Sequence, residues 1–314
     1  MKLVIAEPLH IPQKRLEELL RRTVGDRMEV ISYGTPPQSG EELAGRCREA
    51  DAVIFLDLPF SRQVLRQCPR LKLLCTLITG VDRIDLPACR EQGIAVCNTP
   101  GYASNAVAEM TFALLLAVTR KVVACDRASR TQQGQRGLMG VELEGKTFGV
   151  AGAGSIGLRV ARIAQAFGCR VLCYNRTPKP ETGFPFVDLD TLLRQSDILS
   201  LHLPLTPQTQ QLLNRQRLAV MKPSAILINT ARGGLVDSAA LAQQLQEGRL
   251  AGAGLDVLDL EPPFPPEHPL LQAPNVVLAP HIGFATRDAL ERRIRQLEEN
   301  LSGWLGEGVP RYPV

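Results

Sequence analysis

Three glycines, Gly152, Gly154 and Gly157, stand in the spacing G-x-G-x-x-G. The apolar run Phe148–Ala151 before them reads as a strand, and Ile156–Phe167 after them reads as a helix, with a second strand ending near Tyr174. In that context the spacing carries a mechanism for holding a dinucleotide. The first glycine makes the tight turn, the second lets the backbone approach a pyrophosphate, and the third lets helix pack closely on strand. The helix N-terminus adds N–H donors and positive potential. A glycine cluster that merely turns the chain is the bland alternative, and the strand–turn–helix–strand context weighs against it.

The end of the second strand should distinguish one dinucleotide from another. An acid about 20 residues past the turn would hydrogen-bond the ribose hydroxyls of NAD. Here the chain reads Tyr174-Asn175-Arg176-Thr177. Asn175 is neutral, so a 2′-phosphate meets no repulsion, while Arg176 and Thr177 can offer it a charge-assisted bond and a hydroxyl. The expectation is NADP(H). NAD(H), with Asn175 on the ribose and Arg176 a solvated surface residue, is the alternative.

Two further segments gather functional groups where strands give way to loops: Ile228–Asp237, and Gly254–Pro263 followed by Leu278–Gly283. Ligands of open α/β sheets bind beyond the carboxyl ends of the strands, so Arg232, Asp256, Glu261 and His281 could all reach one cleft. Each has a bland reading when taken singly. His281 could cap a loop, Glu261 could be a surface residue in a proline-rich turn, and Arg232 could serve a structural ion pair. The other histidines, His10, His202 and His268, lack a matching Arg and Glu.

The elements that must position these groups alternate along the whole chain. Apolar runs at Leu3–Ala6, Met28–Ser32, Ala52–Leu56, Leu71–Leu77 and Ile94–Cys97 are separated by helical stretches at Gln13–Arg22, Glu41–Glu49, Arg62–Gln67 and Leu86–Gln92. Such alternation predicts an α/β layer of parallel strands joined by crossover helices. A long helix, Ala103–Thr119, is apolar nearly all round, which predicts burial between two bodies rather than at a surface. The pattern then restarts, with strands expected at Phe148–Ala151, Arg170–Tyr174, Ile198–Leu203, Ala225–Asn229, Ala253–Val257 and Val276–Leu278. Helices are expected at Leu189–Gln195, Arg215–Val220 and Ser238–Glu247, and the charged tail Thr286–Leu305 could fold back onto the first half.

Several motifs in one order resemble the D-isomer-specific 2-hydroxyacid dehydrogenase family. They are Thr79-Gly80-Val81-Asp82, Asn98-Thr99-Pro100-Gly101, Ala106-Val107-Ala108-Glu109, the glycine turn, the Arg232 loop, Glu261-Pro262 and Pro280-His281-Ile282-Gly283. The resemblance implies two Rossmann-like, doubly wound parallel-sheet domains with an interdomain cleft. Residues 1–100 with the returning segment 286–314 would bind substrate, and residues 101–285 the dinucleotide. It implies reduction of a small 2-oxo acid to the D-2-hydroxy acid by hydride transfer from a nicotinamide cofactor, usually in a homodimer joined through the nucleotide domain.

The same resemblance assigns roles. Arg232, Glu261 and His281 become the catalytic residues. Hydride delivery to a carbonyl carbon leaves charge on its oxygen, and a histidine with a pKa of about 6.5 suits the proton donor. Glu261 would favour its imidazolium. Arg232 offers a planar fork for the substrate carboxylate and can polarise the carbonyl oxygen, with main-chain N–H groups around Ile78, Thr79 and Gly80 on the other side. Ser155 and Ile156 would donate to the pyrophosphate. Leu203 and Pro204, with Thr209 nearby, would flank the adenine or its ribose. Thr230, Ala231, Arg232, Asp256, His281 and Gly283 would approach the nicotinamide end.

Within the family, the chain has no added domain of the long phosphoglycerate type, and Glu261 argues against a formate-type enzyme. The Asn175–Thr177 signature leans towards NADPH-dependent glyoxylate or hydroxypyruvate reductases. Phosphite-type and phosphoglycerate-type dehydrogenases, and a dinucleotide-sensing protein like the family's transcriptional corepressors, are the alternatives. A phosphite enzyme would want a lysine near Thr79-Gly80, and the nearest is Lys72.

Composition excludes several other classes. The net charge of +4 is mild, basic residues are scattered, and aromatics are 4%, which argues against nucleic acid. The longest apolar stretch, Met110–Thr119, is too short to span a membrane, and the acidic start is unlike a signal peptide. Eight cysteines without a C-x-x-C pair suit free thiols in a reducing cytoplasm, with no metal site expected.

Overall fold

Most of the short apolar runs become strands buried on both faces, because helices cover each sheet from either side. The structure, a computed structural model, describes all residues 1–314. The chain divides into two units, residues 1–102 with 286–314, and residues 103–285.

The first unit alternates β1 (Lys2–Ile5), α1 (Gln13–Thr23), β2 (Glu29–Ser32), α2 (Gly40–Cys47), β3 (Ala52–Phe55), α3 (Arg62–Leu65), β4 (Leu73–Thr76), α4 (Leu86–Glu91) and β5 (Ala95–Cys97). Its five strands are all parallel, in the order β2-β1-β3-β4-β5. Alternation of side chains along each strand divides its core. Val4, Val53, Leu74 and Val96 face Leu43 of α2, Leu65 of α3 and Ala88 of α4. Leu3, Ile5, Ile54 and Leu73 face the opposite side, with Leu19 of α1 and with Leu297 and Leu301 from the returning segment.

The second unit opens with α5 (Ser104–Thr119) and α6 (Val122–Arg130). It continues through β6 (Thr147–Ala151), α7 (Ser155–Ala166), β7 (Arg170–Tyr174), α8 (Leu189–Gln195), β8 (Ile198–Leu201), α9 (Arg215–Ala219), β9 (Ile226–Asn229), α10 (Ser238–Gln246), β10 (Gly252–Leu255) and β11 (Val276–Leu278). Six parallel strands run in the order β11-β10-β9-β8-β6-β7. Helices α8, α9 and α10 cover one face, and α5 and α7 the other. The last helix, α11 (Arg287–Glu307), belongs to the first unit, where Arg293 donates to the Leu9 carbonyl at 2.9 Å.

Differences from the sequence reading lie at element ends and in one helix. The strands after Leu201 and Leu255 stop two residues before the apolar run does, because His202-Leu203 and Asp256-Val257 already form the loops beyond the sheet. Helix α6 is not signalled by the sequence pattern: its apolar side chains Val122 and Val123 stay exposed, so no stripe marks a buried face. No helix is long and apolar enough to cross a membrane.

Candidate active site

Strand register alone puts the chemistry at one level. Ala151 lies opposite Tyr174 and Leu201, Leu201 opposite Asn229, Asn229 opposite Leu255, and Leu255 opposite Leu278. The loops that follow begin at Gly152, Asn175, His202, Thr230, Asp256 and Ala279, so the loops carrying the candidate residues of the second unit leave the sheet at one carboxyl edge.

The glycine turn has the shape a pyrophosphate needs. Gly152 has φ +108°, and a Cβ there would run into the His202 carbonyl. A Cβ on Gly157 would run into the Gly152 carbonyl, so this helix can approach its strand only as glycine. A Cβ on Gly154 would meet nothing within 4 Å, which leaves room over the turn. No side chain caps α7, whereas α8, α9 and α10 are capped by Asp188, Asn214 and Asp237. The first N–H groups of α7, at Ser155 and Ile156, thus point beyond the helix without a protein side chain to satisfy them, as an anion-binding end requires. These residues fit a dinucleotide.

Beyond β7, Asn175 is half-buried and its Nδ2 donates to the Thr177 carbonyl at 2.8 Å, while Arg176 and Thr177 are exposed. Beyond β8, Leu203 is half-buried and Pro204 exposed. The Thr209 hydroxyl donates to the Pro204 carbonyl at 2.7 Å and accepts from the Thr206 N–H at 2.7 Å, so it shapes that loop from within. His202 is half-buried, and desolvation pushes its pKa down to about 3. Neutral and bonded to the Ser200 hydroxyl at 2.8 Å, it is a structural histidine.

His281 and Glu261 meet. Nδ1 of His281 lies 2.9 Å and 3.1 Å from the two Glu261 carboxylate oxygens, so Nδ1 carries the proton and Nε2 is left outside that pair. The His281 side chain is about one-third exposed. Its backbone is left-handed, φ +54°, a conformation that costs a non-glycine residue energy and persists only where neighbours hold it. Asp256 holds it. The buried carboxylate accepts the Ile282 and Gly283 N–H groups at 2.9 Å and 2.8 Å, and its carbonyl accepts the His281 N–H at 2.7 Å. A Cβ on Gly283 would stand 2.7 Å from Asp256 Oδ2, so the loop closes on the carboxylate only with glycine there.

Arg232 is half-buried after β9, with Nη1 on the Ala231 carbonyl at 2.9 Å. Asn229 clasps the chain on both sides of it, accepting from the Ala231 N–H at 3.0 Å and donating to the Arg232 carbonyl at 2.9 Å. Thr230 is tied by its hydroxyl to Thr111 of α5, 3.0 Å away. In the first unit, Ile78, Thr79 and Gly80 follow β4 at its carboxyl edge. The Thr79 hydroxyl donates to the Thr99 carbonyl at 3.0 Å and its carbonyl accepts from Asn98 at 2.8 Å, while the Ile78 N–H makes only a long bond, 3.4 Å, to Thr76.

Sequence reasoning missed the supports. Asn229 was visible as a polar residue closing the apolar strand Ile226–Asn229, where only a hydrogen-bonding duty accounts for burial to 1% exposure. His268, which has no matching Arg and Glu, bonds Asp259 at 2.8 Å; nothing in the spacing announces that pair. No group of three or more His, Cys, Asp or Glu is placed to hold a metal ion, and all eight cysteines are free.

A family model described as D-isomer specific 2-hydroxyacid dehydrogenase, NAD binding domain, matches residues 112–283, inside the second unit. A glyoxylate reductase of Thermofilum pendens is 45% identical over 285 residues, 87% of this chain and 84% of that one. Among solved structures, an acyclic imino acid reductase (Bsp5) in complex with NADPH and D-Arg superposes with a TM-score of 0.92 at 32% identity, over 100% of both chains. A glyoxylate reductase from Paecilomyes thermophila does so with a TM-score of 0.90 at 30% identity, over 100% of this chain and 98% of that one.

Proposed function

The chain belongs to the D-isomer specific 2-hydroxyacid dehydrogenase family and reduces a 2-oxo acid with a nicotinamide cofactor; from that premise we propose that its substrate is glyoxylate and its preferred cofactor NADPH. The observation that carries the catalytic reading is the His281–Glu261 pair at 2.9 Å, on the same sheet edge as Arg232 and the uncapped α7.

The reduced nicotinamide, when bound, supplies the hydride that arrives at the substrate's carbonyl carbon. His281 delivers a proton from Nε2 to the carbonyl oxygen as charge gathers there. Glu261 accepts the Nδ1–H, which fixes the ring orientation. Arg232 presents a planar fork to the substrate carboxylate and polarises the carbonyl. The N–H groups of Ile78, Thr79 and Gly80 are assigned to the same carboxylate. Asp256 keeps His281 in its left-handed turn and offers a carboxylate edge to the nicotinamide amide. In the oxidative direction, neutral His281 accepts the hydroxyl proton.

NADPH is supported by a neutral Asn175 where an acid would repel the 2′-phosphate, with exposed Arg176 and Thr177 beside it. Exposed Val122, Val123, Met139 and Val141 in the second unit support a homodimer formed through that unit, and eight free thiols suit a reducing, cytoplasmic setting.

The test is absorbance at the reduced-nicotinamide band, with NADPH and NADH offered separately against glyoxylate, hydroxypyruvate and pyruvate. Faster oxidation of NADPH with glyoxylate is expected. Cofactor binding without turnover of any of the three acids would remove the glyoxylate assignment. Asn175→Asp should move the preference towards NADH by about tenfold, since a carboxylate would repel the 2′-phosphate and accept from the ribose hydroxyls. An unchanged ratio would show that Asn175 does not read the ribose.

A further inference from the structure

Glu261 has an exposed side chain, 65% accessible, and its carboxylate is bonded to His281. A glutamate carries three rotatable bonds, so such a bond survives only if the backbone beneath it is fixed. The fixing point lies two residues earlier. Asp259 Oδ1 accepts from the Ser238 hydroxyl at the start of α10 and from His268 Nε2, each at 2.8 Å. His268 is buried, and its Nδ1 accepts the Leu270 N–H at 3.3 Å, so the proton resides on Nε2 and is donated to Asp259. Burial works against the Asp259 charge, yet the bonds from His268 and Ser238 outweigh it and hold the carboxyl below the usual aspartate range. On its other side the segment lies so close to Gly233 that a Cβ there would run into the Leu258 carbonyl. Gly233 is the neighbour of Arg232.

We propose that Asp259, gripped by Ser238 and His268, is a positioning residue for the reduction: it fixes the segment from which Glu261 reaches His281 and keeps that segment in register with the Arg232 loop. It touches neither substrate nor cofactor, and it acts through Glu261. The inference rests on the catalytic reading of the Glu261–His281 pair.

Asp259→Ala removes the acceptor, and Asp259→Asn keeps an oxygen there as a weaker one. With NADPH and glyoxylate, Asp259→Ala is expected to lower kcat by about 10- to 100-fold, the scale of a small misplacement of a reacting group, while KM and NADPH affinity stay within about twofold. Asp259→Asn should recover most of the loss. The downfield proton resonance of His281 Nδ1–H, assigned by its absence in His281→Asn, should be sharp in the wild type, broadened by exchange in Asp259→Ala and restored in Asp259→Asn. General loosening of the fold would instead lower cofactor affinity and melting temperature together.

Should Asp259→Ala fail to fold, His268→Ala and its conservative counterpart His268→Gln, whose amide still donates, make the same comparison. Glu261→Gln separates this inference from its premise. If Glu261→Gln lowers kcat while Asp259→Ala and His268→Ala leave kcat and the resonance unchanged, Glu261 positions itself and the inference is overturned alone. If Glu261→Gln also leaves kcat unchanged, the catalytic pair fails and the inference falls with it.

Discussion

At the scale of single residues, His281 is defined by what stands at its two nitrogens. Nδ1 is committed to Glu261, which leaves Nε2 as the nitrogen proposed to exchange a proton with substrate. Replacing His281 by Ala should therefore lower kcat by about 10²–10⁴-fold, the usual contribution of a positioned acid–base group, with NADPH binding retained. Steady-state turnover and a fluorescence titration of NADPH check the two halves separately, and weakened binding with turnover intact would contradict the role. Gly233 tests the contact between the Arg232 loop and the Glu261 segment. Gly233→Ala puts a methyl group into the Leu258 carbonyl, so the two segments must part, and kcat should fall more than melting temperature does. The residues proposed to act on substrate, Arg232, Glu261 and His281, could be singled out in the sequence because their types are informative at strand ends. The bonded pair Asp259 and His268 was not singled out. Their partners come from other loops, and pairing across loops leaves no spacing to read.

Elements were the most legible level, because alternation of apolar runs and amphipathic stretches encodes a parallel sheet with covered faces. Thus β7, β11 and α8 fall where the sequence pattern puts them, β1 shifts by a residue at both ends, and β9 differs by a residue at one end. Register was not legible, since any run of Val, Leu and Ile pairs with any other; it is pinned by polar residues at the strand starts. Asp197 is one such pin. It accepts the Thr147 N–H of β6 and the Lys222 ammonium, each at 2.8 Å, just before β8 begins. Partial burial opposes its charge, but the bonds from Lys222 and Thr147 prevail and hold its carboxyl below the ordinary range. A carboxyl lowered on folding stabilises the folded state above its unfolded pKa of about 3.9, and the benefit fades as pH falls through the folded value. Asp197→Asn should cost about 1–2 kcal/mol at pH 7, allowing for partial exposure. In urea titrations at a series of pH values the gap between variant and wild type should close below about pH 4. A gap of constant size would mean that charge is not what pins the strand.

At the scale of the whole molecule, the chain leaves the first unit at Tyr102 and rejoins it at Thr286. Sequence reading suggested this return only because α11 follows the last strand of the second unit and is charged on one side. The packing supplies the reason: Ile294, Leu297 and Leu301 sit in the same core as Leu3, Ile5, Ile54 and Leu73. Leu297 is fully buried, and Leu297→Ala should destabilise the first unit by about 2–5 kcal/mol, read as a lowered unfolding midpoint. If α11 merely lay on the surface, the loss would be near zero.

This arrangement sets an order of events during translation. When residues 1–102 have left the ribosome, all five strands of their sheet exist, but one face has only α1 over it. Leu3, Ile54 and Leu73 stay wet or wait on a chaperone while the next 183 residues are made and fold as a unit of their own. The part of the protein synthesised first is thus the part completed last, and the interval between them is when this chain is most exposed to aggregation and proteolysis.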